Sequence, residues 1–158
     1  MGSEMCIRDS GHPRMTLDYD FLTTDARVLM RETWKDLGGG TSVDPRKGDF
    51  DDPIAGVVHL SFADGNEADV VLARWKWEMD VIRRSEPLDI GGSTVPVPIT
   101  SDLILLKLAA GGPIDVQDIV SLLAMSRGQL MSEVDERIAQ VLPDVSDLWA
   151  QIKLSTSE

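Results

Sequence analysis

The chain holds a single cysteine, Cys6, in 158 residues. An intramolecular disulfide is therefore excluded, a cysteine-built metal centre is excluded with it, and such sparing use of thiols points to a reducing compartment, the cytoplasm. Long apolar runs are missing too. The longest, Leu103 to Ala110, is interrupted by Lys107 and falls far short of the ~20 residues that cross a bilayer, so no membrane partner is expected. Residues 1–10 carry neither the apolar segment of a secretory signal nor any periodic pattern. Their string Met5-Cys6-Ile7-Arg8-Asp9-Ser10 reads as a translated sequencing-adaptor scar, and residues 1–10 are taken as a non-native leader. Bases are scarce, 15 against 27 acids, for a net charge of −12. That charge repels nucleic acid at long range and disfavours sequence-independent binding to DNA or long RNA. Arg74, Lys76, Arg83 and Arg84 form the nearest thing to a basic patch, read more plainly as a solvated helix face.

What is present is one core's worth of apolar residues, 42% of the chain, and a distinctive pair of acids. Asp18 and Asp20 stand one residue apart among Leu17, Tyr19, Phe21 and Leu22. In a β-strand, positions i and i+2 share a face, so both carboxylates point the same way. Two like charges held that close stay ionised at neutral pH when a cation lies between them. Mg²⁺ suits the task, because it takes one or two carboxylates and completes its shell with water and substrate phosphates. A polar strand face at a sheet edge is the plain alternative.

Further on, Gly56 to Phe62 and Glu67 to Ala73 are two β-rich runs separated by Ala63-Asp64-Gly65-Asn66, and Asp-Gly between apolar runs predicts a hairpin. Asp69 then lies inside a strand beside Val70, Val71 and Leu72. A charge there calls for a partner. Downstream, the segment Asp102 to Ile119 contains Lys107, Asp115 and Asp118. Thr100 or Ser101 is expected to cap a helix that Gly111-Gly112-Pro113 ends, and Asp115 to start and cap the next. Lys107 interrupts the apolar face of the first helix, where a lysine can snorkel to the surface along its aliphatic stem.

The stretch Gly11-x-x-Arg14-x-Thr16-x-Asp18-x-Asp20 resembles the metal-binding strand of the nucleotidyltransferase superfamily that includes DNA polymerase β, and more narrowly its small bacterial branch around the AbiEii-type toxins. The resemblance implies an α+β fold, a mixed sheet with helices on one face over residues 11–98, and a helical C-terminal part over residues 99–158. It implies Asp18, Asp20 and Asp69 as the catalytic and Mg²⁺- or Mn²⁺-binding carboxylates, and Arg14, Thr16 and Lys107 at the nucleotide. The reaction implied is transfer of a nucleoside monophosphate from a nucleoside triphosphate to an acceptor, with an antitoxin as partner if the toxin branch applies. RNA is an acceptor that the charge disfavours. In that family a helix and a Gly-Gly or Gly-Ser turn precede the acidic strand and cradle the triphosphate. Nothing before Gly11 supplies them, so an N-terminally truncated chain is expected. Two other classes remain open: a non-catalytic nucleotide- or metal-binding protein, and a structural interaction protein.

The rest of the chain reads coarsely. Thr24 or Asp25 caps a helix to about Leu37, stopped by Gly38-Gly39-Gly40; residues 41–55 form a loop; a short hairpin turns at Gly91-Gly92. Helices are expected over 115–126, 132–142 and 145–154. Trp75 and Trp77 suit packing better than base stacking. His59 alternates with Val58 and Leu60 and is read as a packed or rim residue; His12 lies in the loop before the acids.

Overall fold

The computed structural model describes residues 18–125 and 128–156, and of Asp18 the backbone alone. The chain is of mixed α and β content, with a mixed four-stranded sheet and a small two-stranded one. It divides into two compact units, whose described residues are 18–97 and 98–156.

The first unit is built on strands β1 (Asp18–Thr23), β2 (Ser42–Lys47), β3 (Gly56–Ser61) and β4 (Glu67–Leu72) in the spatial order β1-β4-β3-β2. β1 runs parallel to β4, and the other two pairings are antiparallel. The hairpin joining β3 to β4 forms where Asp-Gly predicts it. Phe62 and Asn66 close it through a 2.9 Å bond, and Gly65 takes φ +85°, a value that glycine reaches without steric penalty. Alternation then sorts the side chains. Val58, Leu60, Ala68 and Val70 are buried on one face with Val28, and Tyr19, Leu29, Trp34, Val43 and Phe62 pack around them. The opposite face carries His59, Ser61, Glu67 and Asp69 together with half-buried Val57 and Val71.

Two expectations fail in this unit. Asp25 does cap, its Oδ1 accepting from the Arg27 amide at 3.0 Å, and the Arg27 guanidinium holds its carboxyl down at about 2. The capped segment, however, is a pair of 3-10 turns, Ala26–Leu29 and Arg31–Trp34, broken at Met30 in extended conformation. Side chains take the carbonyls that an α-helix needs: Thr33 donates to the Arg27 oxygen and Trp34 Nε1 to the Val28 oxygen, at 2.5 and 2.6 Å. Such local bonds compete with the helical ladder. The second failure is β2, in a stretch whose Asp, Pro and Gly content predicts a loop. Pro45 is tolerated because β2 is an edge strand with only β3 beside it, so one side needs no donor.

Beyond β4 come α1 (Lys76–Arg84) and the hairpin of β5 (Glu86–Ile90) and β6 (Ser93–Val97). Gly91 and Gly92 turn it with φ +56° and +87°, the double positive φ of a type I′ turn.

The second unit is helical: α2 (Thr100–Ala110), α3 (Pro113–Met125), α4 (Gln129–Val141) and α5 (Ser146–Ser155), with a 3-10 turn at Pro143–Val145. Ile104, Leu105, Leu108, Ile119 and Val134 are fully buried. Gly111 ends α2 in the left-handed region at φ +66°, as its sequence position predicts. The N-termini differ from expectation. Ile99, not Thr100 or Ser101, precedes α2, without a side-chain cap. Pro113 opens α3, where its missing N–H costs nothing. Asp115 is therefore not the cap; it lies in the first turn and its Oδ2 accepts from the Gly112 amide at 3.2 Å, the backward half of a capping box.

Candidate functional site

The register of the sheet decides which acids meet. β1 and β4 place Asp20 opposite Asp69 and Asp18 opposite Glu67. β3 places His59 opposite Asp69 and Ser61 opposite Glu67, and β2 adds Asp44 opposite His59. Residues in register across a sheet share a face. A row Asp20, Asp69, His59, Asp44 therefore crosses all four strands on the face away from the core, at strand spacings of about 4.8 Å.

Within the row the closest contact is between His59 and Asp69, where Nδ1 of the imidazole lies 2.7 Å from Oδ1 of the carboxylate. His59 Nε2 is 3.8 Å from Glu67 Oε1. The bond to Asp69 raises the His59 pKa above its ordinary value, against a smaller opposing effect of partial burial, with the Asp69 and Glu67 charges adding to the rise. Both side chains remain reachable from solvent, His59 at 39% and Asp69 at 45% exposure, and Asp20 is exposed. At the end of the row Asp44 pairs with Arg46 at 2.8 Å.

Asp69 thus has the partner that its position demands, and the partner is His59. Sequence reasoning put His59 at a packed or rim position. The signal was the hairpin itself: a turn centred on Asp64 places His59 and Asp69 at equal distances from it, hence side by side.

Of the other expected site residues, Arg14 and Thr16 lie outside the described residues, as does the side chain of Asp18. Lys107 belongs to the second unit and is 8% exposed. Its Nζ lies 2.7 Å from Asp118 Oδ2 and 3.5 Å from Asp115 Oδ1. The ammonium does not snorkel to water; it ties α2 to α3. A second ion pair of this unit, Arg137 to the fully buried Asp102 at 3.4 Å, has no marker in the sequence beyond an acid in an apolar helix.

The basic cluster is occupied by its own neighbours. Arg74 donates to the carbonyls of Asp49, Phe50 and Asp52 at 2.8, 2.7 and 2.6 Å. Arg83 and Lys76 both pair with Asp80. Trp77 is buried, and Trp75 is half-exposed with Nε1 donating to the Pro53 carbonyl at 3.1 Å. A groove lined by Tyr19, Phe21, Phe62, Asp64, Asn66 and Ala68 lies on the core side of the sheet, the face opposite Asp20 and Asp69.

The donor set can be weighed against a metal. Among the described residues no three His, Cys, Asp or Glu side chains gather as a complete ligand cluster. Two neighbouring carboxylates reachable from solvent suffice for Mg²⁺, which keeps several waters and shares its shell with phosphates. Asp20 and Asp69 stand in register on β1 and β4. Among the described residues, no helix is long and apolar enough to cross a membrane.

No protein-family description matches the sequence, and no curated protein matches it.

Proposed function

We propose that the chain is a Mg²⁺-dependent nucleotidyltransferase, which moves a nucleoside monophosphate from a nucleoside triphosphate to an acceptor hydroxyl and releases pyrophosphate. The observation that carries this reading is the pairing of Asp20 with Asp69 across the parallel strands β1 and β4. Residues far apart in sequence come into register on the face of the sheet opposite the core. Asp18, Asp20 and Asp69 would hold the metal, with Mn²⁺ as an alternative to Mg²⁺. When bound, such an ion neutralises phosphate charge and aligns the attacking oxygen. Asp69 would also accept the proton of the acceptor hydroxyl. The resemblance also implies Arg14, Thr16 and Lys107 at the nucleotide; in the second unit Lys107 is held by Asp118.

The acceptor is a small molecule or protein before it is RNA, since the net charge of −12 opposes a polyanion. A cytoplasmic location accompanies the reading, and an antitoxin partner belongs to its toxin branch. The bond from His59 to Asp69 favours a second reading. It supplies Asp69 with a donor and needs no metal, as expected of a non-catalytic binding protein that has kept the carboxylates.

The test has two stages. Mg²⁺ or Mn²⁺ should raise the melting temperature of the wild type by mass action on the folded state, and Asp20→Asn and Asp69→Asn should abolish most of that rise. Transfer is then measured from each of the four labelled triphosphates to RNA, protein and small-molecule acceptors. An equal metal response in wild type and both variants overturns the metal site; binding without transfer to any acceptor favours the second reading.

A further inference from the structure

The helical unit holds an open cleft of about 350 Å³, lined by Ile99, Thr100 and Ser101 at the start of α2 and by Gln129, Leu130 and Glu133 in the first turns of α4. That volume suits a small molecule, whose sites run from about 300 to about 1,000 Å³. Neither helix has a side-chain cap, so first-turn amides at the positive ends of both dipoles are open to an outside acceptor. Water alone could satisfy a bare helix start. Ser101 asks for more: the residue is 4% exposed, it lines the cleft, and its hydroxyl has no hydrogen-bond partner among the described residues. A hydroxyl withdrawn from bulk water is costly to leave unpaired, and a ligand in the cleft supplies the missing bond.

Charge in the cleft has two signs. The dipole end of α2 favours an anionic group beside Ser101, whereas the exposed carboxylate of Glu133 favours a cationic one. Glu133 Oε1 accepts from Gln129 Nε2 at 3.3 Å, which uses one of the several acceptor sites that a carboxylate offers. Asp102, next in the chain to Ser101, adds no net charge, because the Arg137 guanidinium lies 3.4 Å from it. We propose that the cleft binds a small zwitterion, a free amino acid: its carboxylate takes the Ser101 hydroxyl and the first-turn amides of α2, and its ammonium group meets Glu133. Ile99 and Leu130 offer apolar contact to its side chain. A simple anion would face Glu133 unpaired, and a simple amine would leave the Ser101 hydroxyl unanswered. The site lies within the second unit and needs neither a metal nor the acids of the sheet.

The experiment is isothermal titration calorimetry of the full chain with each of the common amino acids in turn, and then with the N-acetyl and methyl-ester derivatives of those that bind. Saturable binding by at least one amino acid is expected, and it should disappear when either its ammonium or its carboxylate is masked. Ser101→Ala and Glu133→Gln should each weaken binding by about 10–100-fold, the worth of one hydrogen bond to a charged group. Glu133 is exposed, so Glu133→Gln retains the wild-type melting temperature and decides the matter even if Ser101→Ala fails to fold. No binding by any amino acid at millimolar concentration overturns the inference. So does wild-type affinity in either folded variant, or a masked derivative that binds as tightly as its parent.

Discussion

Lys107 and Asp118, on consecutive helices α2 and α3, close a 2.7 Å ion pair with about nine-tenths of each side chain covered. Two charges removed from water are stabilising only as a pair, and removing one partner leaves the other stranded. Lys107→Ala is therefore expected to lower stability by about 3–5 kcal/mol, read from urea denaturation. A loss under about 1 kcal/mol, the range of exposed pairs, would show that the pair is open to solvent.

The His59 imidazole should titrate above ordinary histidine, because Asp69 holds its protonated form. Linkage gives the sign. With the folded pKa raised, the stabilisation is fully present below the unfolded value of about 6.5 and is lost as pH rises through the folded pKa. An NMR titration of the His59 ring should show the elevation in wild type and its loss in Asp69→Asn. A wild-type value at or below 6.5 would contradict the contact.

Asp135 provides the opposite sign. Lys153 at 2.6 Å, assisted by the Trp149 indole N–H at 2.6 Å, holds its carboxyl below the ordinary value against some desolvation. Its contribution is present above the unfolded carboxylate pKa of about 3.9 and disappears as pH falls through the lowered folded value. Asp135→Asn should lose stability at pH 7 and converge with wild type in acid, measured as the difference in melting temperature across pH. A difference that persists unchanged below pH 2 would rule out a charge origin.

Arg74 holds the segment between β2 and β3 through main-chain carbonyls of Asp49, Phe50 and Asp52, while Phe50 is 92% exposed. Arg74→Lys should fail to replace it, because an ammonium lacks the planar fork that reaches several carbonyls at once. Both Arg74→Ala and Arg74→Lys are expected to speed chymotrypsin cleavage after Phe50 several-fold. Unchanged cleavage rates would show that the loop holds without the guanidinium.

How much of this was legible in the sequence depended on the range of the interactions concerned. Local chemistry read well: Asp64-Gly65 and Gly91-Gly92 turned hairpins, Gly111 ended a helix, and Asp69 fell inside a strand with a partner beside it. Where a side chain answered to something distant or unexpected, the reading failed. Trp34 and Thr33 took carbonyls from what looked like a helix, Pro45 survived in a strand because that strand has one neighbour, and Pro113 displaced Asp115 from the cap. For Lys107, helix position suggested solvent, and only the packing of α2 against α3 revealed Asp118. The pairing of Asp20 with Asp69 needed the parallel register of β1 on β4, which no local pattern encodes.

That parallel register also governs the order in which the row of polar residues can come together. His59 and Asp69 are ten residues apart and are joined by the tight turn between β3 and β4. Asp20 reaches Asp69 only when the chain has closed around β2 and β3, a loop with a larger entropic cost, and contacts of that range form slowly. Because β1 is paired with β4 alone among the described residues, release of this edge strand parts the two acids while the imidazole stays on Asp69. Contact range alone therefore predicts that His59 meets Asp69 before Asp20 joins them.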